Sequence, residues 1–174
     1  MQNCKDFDFV ILIPVFQDDD KISLLKKQLD IYLKNYNYFI CFVDDSISEK
    51  TSETITKYFE ENFIILRRKK TEKFSVRFSA SLHGFRWIIS NIKSKYVVEI
   101  DSDLSHHPKD ITKGINKLKE ANYDLVIGSK YLKNSIVENR ELFRVFISKF
   151  MTVICRNLFN SKITDYTNTF RFYN

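Results

Sequence analysis

Apolar residues in this chain come as short unbroken runs, separated by polar segments in which they recur every three or four positions. Phe9-Val10-Ile11-Leu12-Ile13 is the first run, and Pro14 ends it. Tyr38 to Val43 is the second, stopped by Asp44-Asp45-Ser46. Phe63 to Leu66, Tyr96 to Ile100 and Leu125 to Ile127 follow, ended by Arg67-Arg68-Lys69-Lys70, Asp101-Ser102-Asp103 and Gly128-Ser129-Lys130. Runs that are apolar throughout, rather than alternating, predict strands covered on both faces. Between the first two, Ile22, Leu25, Leu29, Tyr32 and Leu33 mark one face of a helix behind the acidic stretch Asp18 to Asp20. Further helices are expected over Thr51 to Glu61, over Val76 to Ile92, and from Pro108 to about Ala121. A proline is tolerated at a first helical position because its missing N–H has no partner there. Strand and helix alternate, so the expected class is α/β: an open, mostly parallel twisted sheet flanked by helices.

That architecture places chemistry. In open α/β sheets ligands bind beyond the carboxyl ends of the strands. Pro14 to Asp18, Asp44-Asp45, Asp101-Ser102-Asp103 and Gly128-Ser129-Lys130 all follow strands, so a parallel sheet gathers them on one edge. Asp-Ser-Asp by itself is ordinary turn chemistry. Two carboxylates at a strand end are also hard oxygen ligands, suited to Mg²⁺ or Mn²⁺ shared with substrate phosphates. Their placement on the same edge as Asp45 and Lys130 favours the second reading.

Composition narrows the alternatives. The 174 residues suit one domain with a sizeable core, and three Gly and two Pro exclude a repeat or low-complexity chain. Cys4, Cys41 and Cys155 are scattered and odd in number, which fits a reducing compartment better than a disulfide scaffold. Met1 to Asp8 has no signal-peptide character, and no apolar run approaches membrane-spanning length, so a cytoplasmic chain, peripheral on the membrane face at most, is expected. The net charge of +6 suits a phosphorylated ligand or an anionic lipid surface; nucleic acid has no motif behind it and is not expected as a partner. His106 and His107 precede Pro108 and read as a helix start that supports the Asp pair rather than as zinc ligands. Glu141 to Asn160 is apolar except for Arg144, Ser148, Thr152 and Arg156 at four-residue spacing. It reads equally as an interfacial helix or as a core helix. A receiver-like phosphorylation switch is disfavoured, because the acidic pair Asp44-Asp45 follows the second strand rather than the first.

Five segments in order carry a resemblance: Ile13 to Asp18, Val43 to Ser46, Val98 to Pro108, Val126 to Tyr131 and Thr167 to Tyr173. Together they resemble glycosyltransferase family 2, and within it the polyprenyl-phosphate, dolichol-phosphate mannose synthase-like branch. The resemblance implies a GT-A fold, a GDP- or UDP-sugar donor, a divalent metal (Mg²⁺ or Mn²⁺) and an acceptor that is a polyprenyl phosphate or another glycan or lipid, as in envelope glycan biosynthesis. It implies that Pro14, Phe16 and Asp18 line a nucleoside pocket and that Val43 and Asp45 hold base or ribose. It places Asp101 and Asp103 on metal and diphosphate, Ser102 against the nucleotide and Ser105 in the metal shell. Lys130 stands where the branch usually has Arg facing the diphosphate, and Arg144 and Arg171 match basic positions on the acceptor side. Lys73-Phe74-Ser75-Val76-Arg77 replaces a Gly-rich stretch usual before the third helix. One catalytic domain over 1–174 is expected, with C-terminal truncation left open; the alternative is a non-catalytic or fragmentary nucleotide-sugar binding module. Oligomeric state is not legible.

If the acceptor is a lipid monophosphate, with a second pKa near ~6, it is already nucleophilic at neutral pH and needs no base. A sugar hydroxyl would need one, and only Glu138 and Glu141 stand nearby in sequence. The resemblance implies inversion at the transferred carbon.

Overall fold

The structure, a computed structural model, describes residues 6–68, 77–133, 135, 142–159 and 162–174. Cys4, Lys69, Lys70, Lys73 to Val76, Glu138 and Glu141 lie outside the described residues. Strands β1 (Phe9–Val15), β2 (Tyr38–Asp44), β3 (Phe63–Arg67), β4 (Val97–Glu99) and β5 (Leu125–Ile127) form where the apolar runs place them. Helices α1 (Ile22–Leu33), α2 (Lys50–Tyr58), α3 (Arg77–Asn91), α4 (Ile111–Ala121) and α5 (Leu142–Phe159) alternate with them. A single 3-10 turn, Pro108–Asp110, leads into α4.

β1 lies inside the sheet and is buried on both faces. Phe9, Ile11 and Ile13 point to the side of α1, α2 and α4, packing with Leu25, Leu29, Ile55 and Ile115. Val10 and Leu12 point to the other side, with Cys41, Val43 and α3 residues Ala80 and Ile88. This is the period-two alternation of a strand read against two apolar layers. Gly84 in α3 lets that helix sit directly on Leu12 and Val43, where a Cβ would collide with both.

The sheet order is β3-β2-β1-β4-β6-β5. β1 pairs in parallel with β2 and β4, and β2 with β3. The sixth strand, β6 (Arg171–Tyr173), was not expected as a strand; it inserts antiparallel between β4 and β5. It is three residues long with one buried side chain, Phe172, too little for a periodic signal. Two antiparallel steps restore direction, so β5 runs the same way as β4 and its carboxyl end reaches the same edge. The chain travels outward from β1 to β3, then crosses back to place β4 on the other flank of β1. That reversal, between β1 and β4, is the topological switch point at which open α/β sheets hold ligands.

Candidate active site

A cleft of about 390 Å³ opens at the switch point. Pro14, Phe16 and Asp18 line it from the end of β1, Asp45 from β2, Arg77 and Ala80 from α3, and Asp101, Ser102 and Asp103 from β4. A more open hollow of about 530 Å³ lies along α2, lined by Glu49, Ser52, Glu53, Thr56, Lys57 and Arg67; none of the candidate residues falls in it.

The floor of the cleft is held by hydrogen bonds that tie together strand ends far apart in sequence. Gln17 takes a left-handed φ of 55°, unusual for a side-chain-bearing residue, and its N–H donates to Ser46 Oγ at 2.8 Å. Asp18 Oδ2 accepts the Phe16 N–H at 3.0 Å and the Ser102 hydroxyl at 2.7 Å, joining the ends of β1 and β4. Burial alone would raise the Asp18 carboxyl; the Lys21 ammonium at 2.7 Å and these two donors outweigh it and hold it below the usual carboxylate range. Asp45 is buried, gripped by Arg68 through Nε at 2.6 Å and Nη2 at 2.5 Å. Asp45 borders the cleft with its side chain only 1% exposed.

The acidic turn itself is asymmetric. Asp103 is exposed, and its Oδ1 accepts the Ser105 N–H at 3.0 Å, closing a turn in which Leu104 has φ 61°. Asp101 is mostly buried: Oδ2 accepts from Ser105 Oγ at 3.4 Å and Thr169 Oγ1 at 3.3 Å. Oδ1 lies in ion-pair contact with the Arg77 guanidinium and, among the described residues, has no other partner.

His106 supports this turn from behind. Its Nδ1 accepts the Asp101 N–H at 3.2 Å, so Nε2 carries the proton and donates to Asn168 Oδ1 at 2.8 Å. Asn168 in turn donates to the Gly128 carbonyl and accepts the Phe170 N–H at 3.1 Å. The ring stacks on Phe170, centroids 5.1 Å apart. Burial is the main cause of its lowered pKa, about 4, so His106 is neutral at pH 7 and serves as a fixed relay from β4 to the β5 and β6 ends. His107 caps the 3-10 turn, its ring nitrogen accepting the Lys109 N–H at 3.2 Å.

The other predicted residues stand elsewhere on this edge. Lys130 is turned inward: Nζ lies 3.1 Å from Asp165 and donates to Thr167 Oγ1 at 2.8 Å. Arg171 donates through Nε to the Asn168 carbonyl at 2.9 Å and through Nη2 to the Tyr166 carbonyl at 3.0 Å. Both fix the segment 165–170 that packs behind the acidic turn. Val43 is fully buried beneath α3. Arg144 is on α5, its side chain outside the described residues. Three contributors were not singled out from sequence, Arg77, Asn168 and Asp165, while Arg68, in a basic run that could meet phosphate or an anionic membrane, is paired with Asp45 instead. Arg77 carried a signal, since it sits in the segment that replaces the usual glycines.

Asp101, Asp103 and Ser105 suit a hard divalent cation in kind, all offering oxygen. Among the described residues no group of three or more His, Cys, Asp or Glu side chains is placed to hold a metal. In chemistry the oxygen donors match Mg²⁺ or Mn²⁺, and an ion held there would need further oxygens from a ligand to complete its shell.

A ligand cleft at the switch point, bordered by an acidic turn, is what an open α/β fold of this topology presents. The glycosyl transferase family 2 profile matches residues 11–174, and the chain belongs to that family. It is 31% identical over 140 residues to a dolichol-phosphate mannosyltransferase of Pyrococcus furiosus, covering 80% of this chain and 38% of that protein. A mycobacterial protein of known structure superposes with a TM-score of 0.67 at 13% identity, over 97% of this chain and 53% of the other. A Pyrobaculum calidifontis mannosyltransferase, solved with GDP-Man and Mn²⁺, superposes at 0.51 with 16% identity, over 71% of this chain and 35% of the other. The expected GT-A architecture is thus borne out. The chain spans about half the length of the curated relatives it matches, 38% to 58% in the three cases.

Proposed function

We propose that this domain binds a GDP- or UDP-sugar in the β1–β4 cleft and transfers the sugar, with inversion, to a polyprenyl phosphate or another glycan or lipid acceptor. The observation that carries the reading is the acidic turn Asp101-Ser102-Asp103 facing Pro14, Phe16, Asp18 and Asp45 across one cleft at the switch point. Membership of glycosyl transferase family 2 supports it.

Phe16, 43% exposed beside Pro14, offers a flat apolar wall for a base. Asp45, paired with Arg68 at the cleft wall, would meet the base or ribose. Ser102 is tied to Asp18 and packs where a ribose-phosphate junction would lie. Asp101, Asp103 and Ser105 would hold Mg²⁺ or Mn²⁺ together with the diphosphate. The bound ion would neutralise charge on the leaving diphosphate. In the transfer itself an ionised phosphate oxygen of the acceptor bonds to the anomeric carbon as the bond to the diphosphate oxygen breaks, and the nucleoside diphosphate leaves; a hydroxyl acceptor would also have to give its proton to a base. His106 keeps the acidic turn in place without exchanging a proton at neutral pH. Lys130, read as a diphosphate-facing charge, and Arg171, read with Arg144 as an acceptor-side one, would act by holding the 165–170 segment behind the acidic turn.

Contact with an anionic membrane is proposed through α5. Among its described side chains the buried ones are Ser148 and Thr152, while Phe143, Phe146, Phe150, Leu158 and Phe159 are more than half exposed. Exposed Lys149 and Arg156 sit on the same helix. No helix among the described residues is long and apolar enough to cross a membrane.

Incubation of the purified chain with a panel of GDP- and UDP-sugars, Mn²⁺ and a short polyprenyl phosphate tests the reading. Formation of a glycolipid from one donor is expected. Donor binding with no product on any acceptor would favour the binding-module alternative.

A further inference from the structure

Arg77 stands in contact with Asp101, one of the two carboxylates assigned to a divalent ion. Among the described residues the guanidinium is the one partner of Asp101 Oδ1, and so its counter-charge. Arg77 also lines the cleft; burial works against its charge there, and the nearby carboxylates of Glu99, Asp103 and Asp18 favour it. Its side chain is 41% exposed, on the first residue of α3, so it has room to swing. Arginine stays charged at any working pH and pairs with phosphate as readily as with carboxylate.

We infer that Arg77 is a resident counter-cation that competes with the divalent ion for Asp101 and is drawn off by the donor's diphosphate, coupling metal loading to nucleotide binding. Without nucleotide, a divalent ion approaching Asp101 meets a positive charge already in place and binds weakly. When a diphosphate enters, it supplies oxygens to the ion and a new anionic partner to Arg77. The guanidinium leaves Oδ1, and metal and nucleotide each tighten the other, as linkage requires. Arg77 is thus a positioning residue that keeps the acidic turn paired while the cleft is empty. The inference rests on the nucleotide-sugar reading of the same cleft.

The test is Mn²⁺ binding, followed by the electron paramagnetic resonance of free Mn²⁺, for wild type, Arg77→Gln and Arg77→Lys, each with and without GDP or UDP. Arg77→Gln should bind Mn²⁺ alone roughly tenfold more tightly than wild type, a modest figure because Arg77 is partly exposed and screened. The gain in Mn²⁺ affinity on adding nucleotide should shrink in Arg77→Gln, and Arg77→Lys, which keeps the charge, should stay close to wild type. Circular dichroism melts identify any variant that fails to fold, and Arg77→Lys then carries the comparison: Mn²⁺ binding far tighter than wild type in that variant contradicts a charge-based competition. Unchanged or weaker Mn²⁺ binding in folded Arg77→Gln, with nucleotide still bound, overturns the role of Arg77 alone. Absence of both Mn²⁺ and nucleotide binding in wild type overturns the nucleotide-sugar reading and this inference with it.

Discussion

Asp165 is fully buried, and Lys130 is its partner at 3.1 Å. Removing one member of such a pair leaves a charge in a poorly solvated place, so Lys130→Met is expected to cost about 3 kcal/mol in urea unfolding. Lys130→Met combined with Asp165→Asn should recover most of that loss. The pair also sets an acid dependence. Burial alone would raise the Asp165 carboxyl, but Lys130 and Thr167 outweigh it and hold it below its ordinary value of 3.8. The unfolded chain therefore takes up this proton at a higher pH than the folded one. The pair's stabilisation is complete above the ordinary value and is lost as pH falls through the lower folded value. Urea midpoints followed from about pH 7 to about pH 3 should fall less steeply at the acid end in the double variant. None of this was legible in sequence: Asp165 lies 35 residues from Lys130 and belongs to no apolar run. The residues that were legible, Pro14 to Asp18, Asp45 and Asp101 to Asp103, are those placed directly by strand ends.

At the scale of elements, the strands with unbroken apolar runs were readable because burial on both faces leaves no polar position in them. β6 was not, since a three-residue strand inserted between two others is chosen by tertiary pairing, not by local pattern. α5 was readable as a helix, but its polarity is inverted: Ser148 and Thr152 face the 131 and 166–167 segments, and the phenyl rings face out. Sequence reading left the interfacial and core alternatives open because spacing gives a stripe but not which side is inside. The double change Phe146→Ser and Phe150→Ser removes two outward rings that stack at 6.4 Å. It should weaken flotation on anionic vesicles by at least about tenfold while leaving the melting temperature unchanged. Equal flotation of variant and wild type would contradict lipid contact through this face, and a lowered melting temperature would mean the rings support the fold.

For the molecule as a whole, the order of strands explains why scattered motifs meet. The reversal between β1 and β4 brings residues 14–18 against residues 101–103, and α3 returns across the sheet with Arg77 at its head. The family assignment rests on most of the chain, and the cleft on geometry that the family's fold creates. What decides whether the cleft is a nucleotide-sugar site is its affinity for a nucleoside diphosphate and the dependence of that affinity on the acidic turn. Calorimetric titration of GDP and UDP into the wild-type chain and Asp103→Ala, with Mn²⁺ and again with EDTA, measures this directly. Asp103 is exposed and makes one local turn hydrogen bond, so the variant should fold. The account predicts Mn²⁺-dependent binding of at least one nucleotide, weakened tenfold or more, roughly the loss of one charge-assisted contact, in Asp103→Ala. Binding indifferent to both EDTA and the substitution, or no binding of either nucleotide, would contradict it.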